Sequence, residues 1–269
     1  MPDCILQAHH LKKTYTQRTG ALGLAGHQIH ALDDVSLQLK RGTTLAIVGE
    51  SGSGKSTLAR GILRLLPLDS GEVIFDGKNF LALDKSALRS ARRDIQMIFQ
   101  DPFASLNPRM RVGDIIGEGL VIHSIGDARQ RQNMVIQILE KVGLHADDTQ
   151  KYPHQFSGGQ RQRIGIARAL ILQPKLVICD EPVSALDVSV QAQILLLLKQ
   201  LQQEMGLSYL FITHDLRVVR HIADEVLVMQ KGKVIEQGSV ESIYNAPQQN
   251  YTRQLLNAIP GQARRAATA

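Results

Sequence analysis

The sequence has 269 residues, 43% hydrophobic and 21% charged, which suits one or two folded domains and excludes bulk disorder. Lys and Arg exceed Asp and Glu by 31 − 25 = 6, a balance that permits nucleotide, nucleic acid or anionic lipid as a partner without choosing among them. Two widely separated cysteines, Cys4 and Cys179, exclude a disulfide framework or a cysteine zinc site, and 4% aromatics without Trp give no base-stacking platform.

In chain order, MPDCILQAHH has neither a basic flank nor an apolar run, so no secretory signal is expected, and His9-His10 reads as two exposed residues beside a strand. Ile5–Ala8 and Ser36–Leu39 alternate like short strands. Thr43–Val48 is a continuous β-rich run, as in a strand buried on both faces. A glycine loop follows, then a helix over Lys55–Leu66 stopped at Pro67. Glu72–Phe75 predicts a strand, Asp84–Ala91 a helix and Asp94–Phe99 another strand. DPFASLNPRMR, with two prolines, breaks the alternation; apolar spacing then fits helices from about 112 to 142, ended by Gly143.

Lys151–His154 reads as loop, and the next helix runs from Ser157 to Leu172. Strand and helix then alternate again: Lys175–Cys179 a buried strand, Val188–Met205 a helix closed near Gly206, Leu207–Ile212 a strand. Asp224–Met229 and Lys233–Glu236 read as a hairpin around Lys231-Gly232, and Tyr251–Ala258 as a last helix before a polar, basic tail. The longest aliphatic run, Ile194–Leu198, falls far short of the ~20 residues of a membrane span.

Gly49-Glu-Ser-Gly-Ser-Gly-Lys-Ser56 fits G-x-x-x-x-G-K-[ST], between an apolar strand and a helix. Glycines let backbone N–H groups wrap phosphate oxygens, Lys55 neutralises β- and γ-phosphate charge, and Ser56 offers a hydroxyl to Mg²⁺. Asp180 and Glu181 end the strand LVIC, at the edge where open α/β sheets bind ligands. Alone they read equally as solvated acids; beside a phosphate loop, Asp180 suits an Mg²⁺ shell and Glu181 the polarising of an attacking water. Gln100 and His214 also end strands and could sense Mg²⁺, the γ-phosphate or that water, each a weak signal singly.

Gln155-Phe-Ser-Gly-Gly-Gln-Arg-Gln-Arg163 has the design of a second anion site: Ser157 as N-cap, with paired glycines for close backbone approach. A chain with one phosphate loop has no evident use for another of its own.

Together these motifs resemble the ATP-binding subunits of ABC transporters, over about residues 4–257. Gly49–Thr57 is similar to the Walker A motif, Gln100 to the Q-loop glutamine, Ser157-Gly158-Gly159-Gln160 to the signature, LVICDE at 176–181 to Walker B with the catalytic glutamate, Ser184–Asp187 to the D-loop and His214 to the switch histidine. Tyr15 stands where the family stacks an aromatic on adenine.

The resemblance implies an α/β fold: a RecA-like P-loop NTPase core at 1–100 and 168–240, an antiparallel β subdomain, an inserted α-helical subdomain at about 101–167, a C-terminal helical extension at 241–258 and a polar tail at 259–269. It implies binding of ATP by Tyr15, Gly49, Ser51, Gly52, Ser53, Gly54, Lys55, Ser56 and Thr57, with Mg²⁺ on Ser56, Gln100 and Asp180 and catalysis by Glu181, His214 and Gln100. Ser157, Gly158, Gly159, Gln160 and Asp187 would reach the nucleotide of a second ATPase subunit, a paralogue or another copy.

Arg92–Arg109, Glu181–Gln191, the tail Tyr244–Thr252 and an extra loop at about 17–30 further resemble the peptide, opine and nickel importers, and QMIFQDPFASLNPR their second, F-type ATPase. Such a subunit would work with two transmembrane permeases, and indirectly with an extracytoplasmic solute-binding protein, peripherally at the cytoplasmic face of the inner membrane. Some relatives bind an iron–sulfur cluster through tail cysteines; this tail has none, so no cluster is expected. The competing reading is a non-transport ABC ATPase acting on nucleic acid or ribosomes. No zinc cysteines, coiled-coil insertion or second cassette support it, and no nucleic-acid partner is expected.

Overall fold

The computed structural model describes residues 4–17, 27–101 and 103–259. The chain divides into two units, Met1–Leu83 with Leu210–Ala269, and Asp84–Tyr209. Of the loop expected at about 17–30, residues 18–26 lie outside the described residues, as do tail residues 260–269.

The first unit opens with two long strands, β1 (Cys4–Gln17) and β2 (His27–Lys40), paired antiparallel. Both exceed the short alternations at 5–8 and 36–39. Register shifts along β1 break the period of two, so the apolar pattern does not run through. His10 and Asp34, both at positive φ, sit in this irregular stretch, and their side chains bond at 2.8 Å. β3 (Thr44–Val48) is buried at every position, as its uninterrupted apolar run requires.

After the glycine loop comes α1 (Lys55–Ile62), a turn shorter than expected. Arg64, at positive φ, turns the chain, and its guanidinium donates to the carbonyl of Leu83 at 2.7 Å. β4 (Ser70–Phe75) and β5 (Lys78–Asn79) complete a four-stranded sheet in the order β2–β1–β4–β5, with β1–β2, β1–β4 and β4–β5 all antiparallel.

The second unit begins with α2 (Lys85–Asp94), whose Asp84 cap accepts from the Ala87 N–H at 2.8 Å. β6 (Ile95–Ile98) leads to α3 (Val112–Ile122) and α4 (Ala128–Lys141), which starts in an Asp127/Gln130 capping box. The loop expected at 151–154 holds a short 3₁₀ turn, Pro153–Gln155. α5 (Gly158–Leu170), β7 (Leu176–Asp180) and α6 (Val188–Met205) follow. β6 and β7 pair in parallel, as strands joined by a helical crossover must. α6 ends at Gly206, which is left-handed.

β8 (Ser208–Thr213) leads back into the first unit. There α7 (Leu216–Ile222), β9 (Glu225–Gln230), β10 (Lys233–Ser239), α8 (Val240–Asn245) and α9 (Asn250–Asn257) complete the chain. Its strands lie in the order β10–β9–β3–β8, with β9 parallel to β3 and β10 turning back antiparallel. α7, α8 and α9 pack on β3 and β9 through Val219, Ile243 and Leu256. Each such side chain contributes roughly 1.5–3 kcal/mol by leaving water. Among the described residues no helix is long and apolar enough to cross a membrane.

Parallel strands alternating with helices, beside a separate antiparallel sheet, give the α/β class that the sequence leads one to expect.

Candidate functional site

The glycine loop joins β3 to α1. Gly49 (φ 153) and Gly54 (φ 107) hold conformations that disfavour a side chain. Space forbids one as well: a Cβ on Gly49 would lie 2.2 Å from the Met229 carbonyl oxygen, and one on Gly54 2.3 Å from that of Ala31. The turn after β9 closes on the loop, with the Gly232 N–H donating to the Ser53 carbonyl at 2.9 Å.

Lys55 is 5% exposed, and its ammonium donates to the carbonyls of Gly49 and Glu50 at 2.7 and 2.8 Å. A cation is thus stored inside the loop, on the neutral acceptors an anion would displace. Ser53 is buried; Ser51 and Gly52 are exposed; Ser56 and Thr57 start the helix half-buried. N–H groups at the start of α1 add the positive end of its dipole.

One contact to this loop was not legible in the sequence. The Glu50 N–H donates to the hydroxyl of Tyr251, on α9, at 3.2 Å. Burial raises the Tyr251 phenol above its ordinary pKa, so it stays protonated at neutral pH. Two hundred residues separate the partners, and no local pattern signals the pairing. Tyr15, on β1, is 44% exposed, with the Lys13 ammonium 5.6 Å from its ring centre. His214 follows β8 and is exposed. Asp215 beside it caps α7 through the Arg217 N–H at 2.8 Å and is gripped by the Arg217 guanidinium at 2.7 to 3.1 Å. Burial would raise the Asp215 pKa, but Arg217 outweighs it and holds the carboxyl below its ordinary 3.8.

In the second unit, Asp180 ends β7 and is 3% exposed. Its charge and, more strongly, burial push the neighbouring Cys179 thiol far up, so that cysteine is inert. Glu181 stands at φ 48, a left-handed backbone that costs a non-glycine residue of order 1–3 kcal/mol. Its Oε2 accepts from the Gln100 amide at 3.1 Å, so two of the expected catalytic side chains are in contact. Ser184 bonds back to the Glu181 carbonyl through its N–H at 3.3 Å and its hydroxyl at 3.1 Å, and Gln191 donates to the Val183 and Leu186 carbonyls at 3.0 Å each. The turn carrying Asp187 is therefore held tightly, while Asp187 itself is exposed.

Ser157 caps α5 in a reciprocal box: the Gln160 N–H donates to its hydroxyl at 3.3 Å, and its own N–H donates to the Gln160 side-chain oxygen at 2.9 Å. Gly159 has a packing reason to be glycine, since a Cβ there would lie 2.6 Å from Val190 Cγ1. α5 also holds the segment after Gln100. Arg161 lies over the Phe103 ring at 4.1 Å, and Arg168 lies over Phe99 at 5.8 Å while donating to the Ser105 carbonyl. Both rings are substantially exposed, Phe103 at 60%. Aromatic–arginine pairs 58 residues apart (Phe103 and Arg161) and 69 apart (Phe99 and Arg168) are not a pattern that sequence reading could have found. Between α3 and α4 a cavity of about 610 Å³ opens, lined by Met110, Gly113, Gly117, Val121 and Val135 among others.

A loop that stores a lysine for phosphate, and a carboxylate–amide pair at a strand end, fit nucleotide hydrolysis. A family profile described as ABC transporter matches residues 32–184. The chain belongs to the ABC transporter family. It is 53% identical to the dipeptide transport ATP-binding protein DppF of Haemophilus influenzae, over 95% of this chain and 78% of that one. It is 48% identical to the oligopeptide transport ATP-binding protein OppF of Bacillus subtilis, over 97% and 84%. Among solved structures it is similar to the ATP-binding cassette MJ0796 in a dimeric post-hydrolysis state with ADP and Pi, at a TM-score of 0.76 and 32% identity, covering 87% of this chain and 98% of that one. The fold is that of an ABC ATPase, RecA-like with an antiparallel β subdomain, and the chain hydrolyses ATP to drive transport.

Proposed function

We propose that the chain is an energy-coupling ATPase of a peptide importer, the second of two ATPase subunits, working as half of an ATP-closed pair. The observation carrying the pairing is the second anion-type helix start at Ser157, fully built and capped, in a chain that already holds its phosphate loop. The dimeric state of MJ0796 supports it, and the peptide names of the relatives favour peptides over nickel or opines.

In this reading Tyr15 stacks on adenine, and the loop from Gly49 to Thr57, with Ser51 and Gly52 at its exposed crest, wraps the phosphates. Lys55 exchanges the Gly49 and Glu50 carbonyls for phosphate oxygens. Ser56, Gln100 and Asp180 offer only oxygen donors, which is the set Mg²⁺ takes, and the ion when bound would neutralise charge on the β- and γ-phosphates. Glu181 takes a proton from the attacking water, Gln100 orients Glu181 through the contact already present, and His214 donates to the γ-phosphate. Ser157, Gly158, Gly159, Gln160 and Asp187 serve the nucleotide of the other subunit. A γ-phosphate held from both sides binds the closed pair better than the open one, so ATP closes the pair and hydrolysis releases it.

Permease docking belongs to Phe103–Arg111 and the cavity between α3 and α4, where exposed Phe103 and Val121 offer apolar surface. A peripheral place at the cytoplasmic face follows from that docking. The test is reconstitution in vesicles with the permeases and solute-binding protein. Added peptide raises ATP turnover in this reading; stimulation by nickel and not by peptide would refute the substrate assignment.

A further inference from the structure

Gln162, on α5, is 1% exposed, and its amide nitrogen has no hydrogen-bond partner. Buried donors are almost always satisfied, and one left unpaired lowers stability. Its direction follows from the helix. Successive residues turn about 100°. Gly158 faces Leu186 Cδ2, 3.4 Å from where its Cβ would be, and Gly159 faces Val190 Cγ1. Gln162 lies about 40° round from Gly158, between these two directions. Its side chain therefore leaves α5 on the face that meets the turn at 184–187 and the start of α6. That turn carries an acceptor with room for a second bond: the Val183 carbonyl already takes two, from Gln191 and from the Leu186 N–H, whereas the Leu186 carbonyl takes one from Gln191, and a carbonyl oxygen accepts two.

We propose that Gln162 is a positioning residue for the Ser184–Asp187 turn. Its amide is unpaired in the single chain and donates to a backbone carbonyl of that turn when ATP closes the pair. The proposal rests on the paired reading above. A donor satisfied only after closure favours the closed state and fixes Asp187 toward the second nucleotide. Gln162 touches neither nucleotide nor water; it acts through the turn.

The test is Gln162→Met, of similar length without a donor, in the full chain under conditions where the wild type turns over ATP. Without nucleotide, Tm rises by about 2–4 °C, because an unpaired buried amide is gone. The kcat falls about tenfold or more while KM for ATP stays within about twofold. Added to Asp187→Ala, the change costs no further turnover, since both act through one turn. An unchanged or lower Tm would mean that the amide already has a partner, and an unchanged kcat or a fully additive loss would remove the link to the turn; any of these overturns the proposal. If Ser157→Arg retains wild-type turnover, the paired reading itself fails. If Ser157→Arg is inactive while Gln162→Met is fully active, only the role of Gln162 fails.

Discussion

Glu181 carries the largest single consequence in the site. Its carboxylate meets Gln100, and its backbone is held in a left-handed conformation by the turn that follows. Glu181→Gln keeps that geometry and removes the proposed base, so ATP affinity stays within a few-fold while turnover drops by about 10²–10⁴. Near wild-type turnover in a steady-state phosphate-release assay would remove Glu181 from that role. Asp215 tests the electrostatics beside His214. Its pKa is lowered in the folded chain, so its stabilisation is complete above the unfolded value and is lost as pH falls through the lower folded value. Asp215→Ala, which removes a helix cap, costs about 0.5–2 kcal/mol at pH 7. The gap from wild type narrows as urea midpoints are followed below about pH 4; a gap that widens on acidification contradicts the assignment.

At the scale of elements, the contact between α5 and α6 is set by what Gly159 lacks. Gly159→Ala places a Cβ 2.6 Å from Val190 Cγ1, and valine is stiff about χ1. Overpacking of this kind costs about 1–3 kcal/mol, read as a lower denaturation midpoint. The double variant with Val190→Ala recovers most of the loss; no recovery would show that Gly159 is needed for backbone reasons instead. Most elements were legible at this scale because their signals are local. Buried runs gave β3 and β7, Gly206 closed α6, and Ser157 opened α5. What was not legible depends on distant partners. The register shifts in β1 hide its length, α7 and α8 are too short for a period to show, and Tyr251 reaches Glu50 only once α9 has packed.

For the whole molecule, the same division holds for the site. The side chains proposed to meet nucleotide were read from motifs, because phosphate chemistry demands fixed residue types at fixed spacing. Side chains that support them, such as Tyr251, Arg161, Arg168 and Gln162, obey only packing, and packing leaves no short-range signature. The claim on which the functional account turns is that Ser157 serves another chain's nucleotide. It is tested most directly by the ATP affinity of Ser157→Arg, measured by fluorescent-nucleotide titration on dilute chain without any second cassette. The account predicts a Kd within about twofold of wild type; a loss of tenfold or more, in a chain shown to be a folded monomer, would place the signature on its own nucleotide and contradict it.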